Sequence, residues 1–148
     1  MDAMSIALDE ARAAAARGEV PVGAVVLDPA GAVLSRAGNA VEAEQDPSAH
    51  AELRVMRAAA RALGSARRLV GCEVVVTLEP CAMCAAAMVH FRVRRVVFGA
   101  YDPKGGGVEH GARVFDAPGC LHRPEVVGGV REAEAAALLR GFFAGLRG

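Results

Sequence analysis

The chain has 148 residues, 53% hydrophobic and 23% charged, a composition that fits one globular domain over residues 1–148 with a core of real size. Lysine plus arginine and aspartate plus glutamate both number 17, so the formal net charge is zero and any attraction to a nucleic acid must come from a local basic patch. Residues 1–10 carry Asp2, Asp9 and Glu10 without a long apolar run, and no segment approaches the roughly 20 apolar residues that cross a bilayer. A signal peptide and a membrane span are therefore not expected, and the expected compartment is the cytoplasm.

Ala3 to Ala16 is alanine-rich, with Met4, Ile6 and Leu8 among its apolar positions and Gly18 beyond it, which predicts a helix. Val20 to Leu27 is short, β-branched and nearly all apolar, the pattern of a strand covered on both faces. Asp28-Pro29-Ala30-Gly31 has turn chemistry, and Ala32 to Arg36 reads as the return strand of a hairpin. Gly38 to Pro47 reads as a polar loop containing Asn39. Ser48 is the expected N-cap of a helix from Ala49 to about Leu63, with His50 and Glu52 in its first turn and Gly64 at its end. Glu73 to Leu78 reads as a buried strand that runs into Glu79-Pro80, and Cys81 opens an alanine-rich helix to about Phe91. Arg95 to Gly99 is the next strand. Tyr101 to Gly119, rich in glycine, proline and charge, reads as a functional loop with a short helical turn around Val114. Glu125 to Val127 is a brief last strand, and Glu132 to Leu146 a closing helix with Ala136, Leu139, Phe143 and Leu146 at helical spacing. Strands alternating with helices mean an α/β fold, three layers with a mixed central sheet of about five strands.

Two stretches carry chemistry: His50-Ala51-Glu52 and Pro80-Cys81-Ala82-Met83-Cys84. Catalytic zinc takes three protein ligands and keeps a fourth position open for water. His50, Cys81 and Cys84 meet that count, and Glu52, two residues after the histidine, is a carboxylate placed to move a proton without binding the metal. A helix N-terminus lowers thiol pKa, which favours the thiolates at Cys81 and Cys84. A thioredoxin-like C-x-x-C would leave His50 and Glu52 unexplained. A structural zinc site, as in a non-catalytic zinc-bearing RNA-binding module, would need a fourth ligand from His90, His110, His122, Cys72 or Cys120, none at a motif spacing with the clip.

H-x-E followed by P-C-x-x-C is the signature of zinc nucleobase deaminases, and the chain resembles the cytidine/deoxycytidylate deaminase superfamily. Within it, the sequence is similar to the bacterial tRNA-specific adenosine deaminases. The resemblance runs through Val20-Pro21-Val22-Gly23-Ala24-Val25, Asn39, Asp46-Pro47-Ser48-Ala49-His50-Ala51-Glu52 and Thr77-Leu78-Glu79-Pro80-Cys81-Ala82-Met83-Cys84. It continues in Ala87-Met88-Val89-His90, Arg95 to Ala100, Asp102-Pro103-Lys104, Pro118-Gly119, and Leu138-Leu139 with Phe142-Phe143. It implies a cytidine-deaminase-like fold and one zinc ion per subunit, held by His50, Cys81 and Cys84 and activating a water that attacks C6 of adenine. Glu52 would carry protons from that water to the ring nitrogen and the departing ammonia. The resemblance further implies substrate contacts from Asn39, Asp102 and Lys104, a tRNA anticodon stem-loop as partner with adenosine at the wobble position, and a homodimer with its site near the subunit boundary. The same chemistry on a free nucleobase or nucleoside, of guanine or cytosine type, is the alternative.

Two stretches depart from the family. Gly105-Gly106-Gly107-Val108-Glu109-His110-Gly111 replaces the usual Thr-Gly and small-residue run, and the chain ends at Arg147-Gly148 where relatives often carry a basic tail, so fewer terminal phosphate contacts are expected. Arg92, Arg94, Arg95, Lys104, Arg113 and Arg123 are the candidates for a basic surface, or for ordinary surface ion pairs.

Overall fold

A computed structural model of the chain describes residues 1–64 and 68–147; Gly148 of the terminal reading lies outside them. In chain order the elements are α1 (Ala3–Ala16), β1 (Gly23–Leu27), β2 (Val33–Gly38), α2 (Val41–Glu44), α3 (Ala51–Leu63), β3 (Glu73–Leu78), α4 (Ala82–Phe91), β4 (Arg95–Ala100), a 3₁₀ turn at Val114–Asp116, β5 (Glu125–Val127) and α5 (Glu132–Arg147). Asp2 caps α1, its carboxylate accepting the Ser5 N–H at 2.9 Å.

The five strands form one sheet in the order β2-β1-β3-β4-β5. β1 runs antiparallel to both neighbours, while β3, β4 and β5 are parallel. A parallel pair needs a crossover, and α4 supplies it between β3 and β4. The pleat sorts side chains onto two faces. Ala24, Val26, Val74, Val76, Val96 and Phe98 pack with α3 and α4 through Val55, Met56, Ala59, Ala85 and Met88. Val25, Val75 and Val97 pack instead with α1 and α5 through Met4, Leu8 and Ala135. These two cores make the three layers, and the mixed five-stranded sheet expected from the sequence is present.

Three boundaries differ from the sequence reading. β1 begins at Gly23, not Val20, because Pro21 has no N–H to donate and the Val22 N–H turns back to the Val20 carbonyl at 2.8 Å. Gly23 is also the point where α1 lies directly on the sheet: a Cβ there would stand 2.0 Å from the Ala7 carbonyl oxygen. The expected loop 38–47 contains the one-turn helix α2. Ser48 is not the cap of α3. Its N–H and hydroxyl both bind the Asp46 carboxylate, at 2.8 and 2.7 Å, and the helix starts two residues beyond the expected Ala49, with His50 as N-cap.

Candidate active site

The carboxyl ends of β3 and β4 meet the N-termini of α3 and α4, the customary ligand position of an open α/β sheet. His50 is the N-cap of α3 and Cys81 the N-cap of α4, both in extended backbone, so each side chain leaves its helix at the end bearing free N–H groups. Cys84 follows on the first turn of α4. Cys81 Sγ lies 3.7 Å and Cys84 Sγ 3.6 Å from His50 Nδ1. A tetrahedral ion with Zn–S of ~2.3 Å and Zn–N of ~2.05 Å would separate nitrogen and sulfur by about 3.6 Å. Both nitrogen–sulfur separations match such an ion, and all three donor atoms lie within 4.8 Å of one another.

Among the described residues, the cluster of His, Cys, Asp and Glu side chains able to hold a metal consists of these three. Of the other candidates for a fourth ligand, His110 is engaged with Glu79, His122 with the Val93 carbonyl and Cys120 with the His122 carbonyl, while His90 is exposed in the last turn of α4, at the opposite end of that helix from Cys81. Cys72 is buried in the core with α3 and α4.

The protonation pattern of the trio is that of a cation site. The hydrogen bond from Cys84 and then the His50 imidazole hold the Cys81 thiol down at about 4, against the pull of burial. Cys84, as the partner that gives the hydrogen bond, and buried besides, is pushed upward. Cys81 also raises His50, helped by the charge of Glu52. A thiolate, a thiol and an imidazole crowded together share protons that a metal ion would displace.

Glu52 lies in the first turn of α3, and only 4% of it is exposed. Burial drives its carboxyl up to about 7, while its own N–H and the His50 charge pull the other way. A carboxyl group with that value exchanges protons readily at neutral pH.

A cavity of about 650 Å³ opens onto this cluster, lined by His50, Glu52, Cys81 and Asn39. That volume suits a nucleoside-sized ligand. Asn39 is fixed from four directions. Its N–H binds the Val22 carbonyl at 3.0 Å, its carbonyl accepts from Arg17 at 3.2 Å, and Arg54 holds the preceding Gly38 carbonyl at 2.6 Å. Its side-chain Oδ1 accepts the Ala51 N–H at 2.8 Å. Asn39 thus does for α3 what the sequence assigned to Ser48.

Asp102 lines the cavity, with its side chain turned onto the N–H groups of Lys104 and Gly105 at 3.2 and 2.9 Å. Lys104 is exposed and is not one of the lining residues. Two contributions to the cavity escaped the sequence reading. α5 brings Phe142, Phe143 and Leu146 to it, and Glu19 brings a buried carboxylate that holds the N–H groups of Glu42 and Ala43 at the start of α2. Glu19 stands 23 residues from its partner, and no local pattern announces it.

The candidate basic surface is largely spent on ion pairs. Arg94 and Arg95 pair with Glu73 and Glu125 where β3, β4 and β5 begin, at the opposite end of the sheet from the cavity. Arg113 and Arg123 pair with Asp116. Tyr101 packs edge-on against Phe98, with ring centroids 5.1 Å apart.

The family model of the cytidine and deoxycytidylate deaminase zinc-binding region matches residues 1–100. The chain belongs to the cytidine and deoxycytidylate deaminase family. A tRNA-specific adenosine deaminase of Agrobacterium fabrum is 53% identical over 95% of this chain and 91% of its own. A solved structure from work on A-to-I editing by tRNA:A34 deaminases superposes with a TM-score of 0.90, at 50% identity, over 93% of this chain and 98% of that one. The guanine deaminase of Nitrosomonas europaea is more distant, at 28% identity and a TM-score of 0.75 over 96% of this chain and 83% of its own.

Proposed function

We propose that residues 1–148 form one deaminase domain that hydrolyses adenosine to inosine at the wobble position of a tRNA anticodon loop, with zinc as its cofactor. The observation that carries this reading is the His50–Cys81–Cys84 donor set with buried Glu52 beside it in a nucleoside-sized cavity. Relatives at 53% and 50% identity that act on tRNA support the substrate, since the guanine deaminase stands at 28%. Zinc in such a donor set lowers the pKa of water toward about 7 and so supplies a nucleophile at neutral pH.

The chain's own residues do the rest. Glu52 takes a proton from the attacking water and gives it to the adenine ring nitrogen as the C6–O bond forms; it then takes the remaining proton of that oxygen and delivers it to the amino group as the C6–N bond breaks, so water adds and ammonia departs. With Oδ1 of Asn39 committed to the Ala51 N–H, the amide NH2 is the end that donates to the nucleoside. Asp102 from the cavity wall and Lys104 beside it contact the nucleotide backbone. An anticodon loop suits the cavity because its bases are single-stranded and insert without melting a duplex.

A homodimer fits the exposed apolar surface beside α4, where Leu121 is 83% exposed next to Val89 and Cys120. No described helix is long and apolar enough to cross a membrane. We place the reaction in the cytoplasm, with tRNA.

The guanine deaminase likeness supports the alternative, turnover of a free base. The test is deamination by purified zinc-loaded protein of a stem-loop with wobble adenosine, beside free adenine, guanine, cytosine, adenosine and cytidine. Inosine in the stem-loop alone is the expected result; turnover of a free base with a silent stem-loop would overturn the substrate.

A further inference from the structure

The glycine-rich departure at 105–111 is moulded onto one side chain. Glu79, at the end of β3 and two residues before Cys81, has a fully enclosed carboxylate. Its Oε2 accepts the N–H groups of Val108, Glu109 and His110 at 3.2, 2.8 and 3.1 Å. Its Oε1 accepts the Asp102 N–H at 3.0 Å and pairs with His110 Nδ1 at 2.8 Å. Five donors converging on two oxygens suit a carboxylate, which only accepts, and not an amide, which must also donate.

The glycines match this arrangement. A Cβ on Gly106 would stand 2.5 Å from the Glu79 carboxylate and 2.6 Å from the Asp102 carbonyl oxygen, and one on Gly107 would stand 2.5 Å from the Ala82 nitrogen. The Gly107 N–H also binds the Pro80 carbonyl at 2.8 Å. Asp102 and Gly105 are where the segment so held faces the cavity. His50 and Cys81 leave the chain as the N-caps of α3 and α4, and neither makes a hydrogen bond to Glu79.

We propose that Glu79 is a positioning residue for substrate. With His110 and Gly106 as its matched partners, it sets the cavity wall formed by Asp102 and Gly105, and so governs RNA binding and not the metal chemistry. The inference rests on the RNA-deaminase reading above.

The test uses the zinc-loaded full chain as wild type, Glu79→Gln, Gly106→Ala and the double variant. Zinc content, kcat and KM on the wobble-adenosine stem-loop, and amide hydrogen exchange are measured. In Glu79→Gln, one zinc per chain should remain, KM should rise about tenfold and kcat should stay within about threefold. Exchange should quicken at residues 102 and 108–110 while the β3 amides stay protected. Gly106→Ala keeps the carboxylate and should reproduce the KM rise, so the test survives if Glu79→Gln fails to fold. The double variant should be no worse than the worse single, because both break one contact.

An unchanged KM in the singles, or a fall in kcat and zinc content at constant KM, would overturn the proposal. If wild type ignores the stem-loop but turns over a free base, the RNA reading falls. The same KM comparison is then made on that base, where a rise upholds Glu79 as the residue that sets the wall and no change overturns it.

Discussion

Glu52 and Glu79 are two glutamates lining the same cavity, 4% and 2% exposed, yet their carboxyl groups are shifted in opposite directions. Burial dominates at Glu52, which has few hydrogen-bond donors, and its carboxyl rises to about 7. Burial also works against ionisation of Glu79, but the donors of Asp102, Glu109 and His110 outweigh it and keep the carboxyl below its ordinary value. Desolvation outweighs the donors at Glu52, and the donors outweigh desolvation at Glu79. The first suits the proton transfer proposed for Glu52, and the second suits an anion that organises a loop.

The difference can be broken most completely at Cys81, which binds His50 on one side and follows Glu79 by two residues. Cys81→Ser should lose zinc and all measurable deamination, with a lower unfolding midpoint, because metal binding is coupled to folding. Metal analysis beside thermal unfolding checks this; full zinc occupancy would remove Cys81 from the ligand set. Glu52→Gln isolates the chemical glutamate. It should keep one zinc per chain while kcat falls by about 10³-fold, the scale of lost general acid–base catalysis. Turnover near wild type in that variant would end the proton-shuttle role.

Asn39 offers a finer division, since one amide serves both the fold and the ligand. Asn39→Asp keeps the acceptor for the Ala51 N–H and should weaken substrate binding with little loss of stability. Asn39→Ala should add a cost of about 1 kcal/mol, that of a lost helix cap, read by denaturant unfolding. Equal stability in the two variants would contradict the capping role.

The smallest effect is the most direct test of the two glutamates, because they should respond to pH with opposite signs. In metal-stripped protein, Glu52 has a folded value near 7 against an ordinary 4.5, so its contribution is present at low pH and is lost as pH rises from about 4.5 to about 7. Glu79 has a lowered folded value, so its contribution is present above about 4.5 and is lost as pH falls further. The stability of wild type relative to Glu52→Gln should therefore drop on the alkaline side, and relative to Glu79→Gln on the acid side. Drops on the same side would mean that donors do not distinguish the two carboxylates.

Much of this was legible in the residues themselves. H-x-E and C-x-x-C each place their own side chains through a few covalent bonds and one helical turn, so the pairs His50 with Glu52 and Cys81 with Cys84 follow from spacing, while the meeting of the two pairs was what the family resemblance implied. A β-branched run located β3, an alanine-rich run α4, and apolar spacing the closing helix, each near its observed limits, and the short turn expected around Val114 is present. What remained hidden joins residues far apart in the chain. Ser48 has the right chemistry in the right place for a cap, yet Asp46 claims it and Asn39 reaches across from the end of β2. Glu79 precedes the motif without any local sign that residues 102 and 108–110 fold onto it.

By itself the sequence determined the alternation of strands and helices and the spacing within each of the two motifs proposed to hold the metal, because these depend on local propensity and covalent distance. Only the tertiary structure decided which strand stands beside which, which amide caps α3, and in which direction each buried glutamate is shifted. Those outcomes depend on donors and apolar surface brought together from distant parts of the chain, and no spacing along it encodes them.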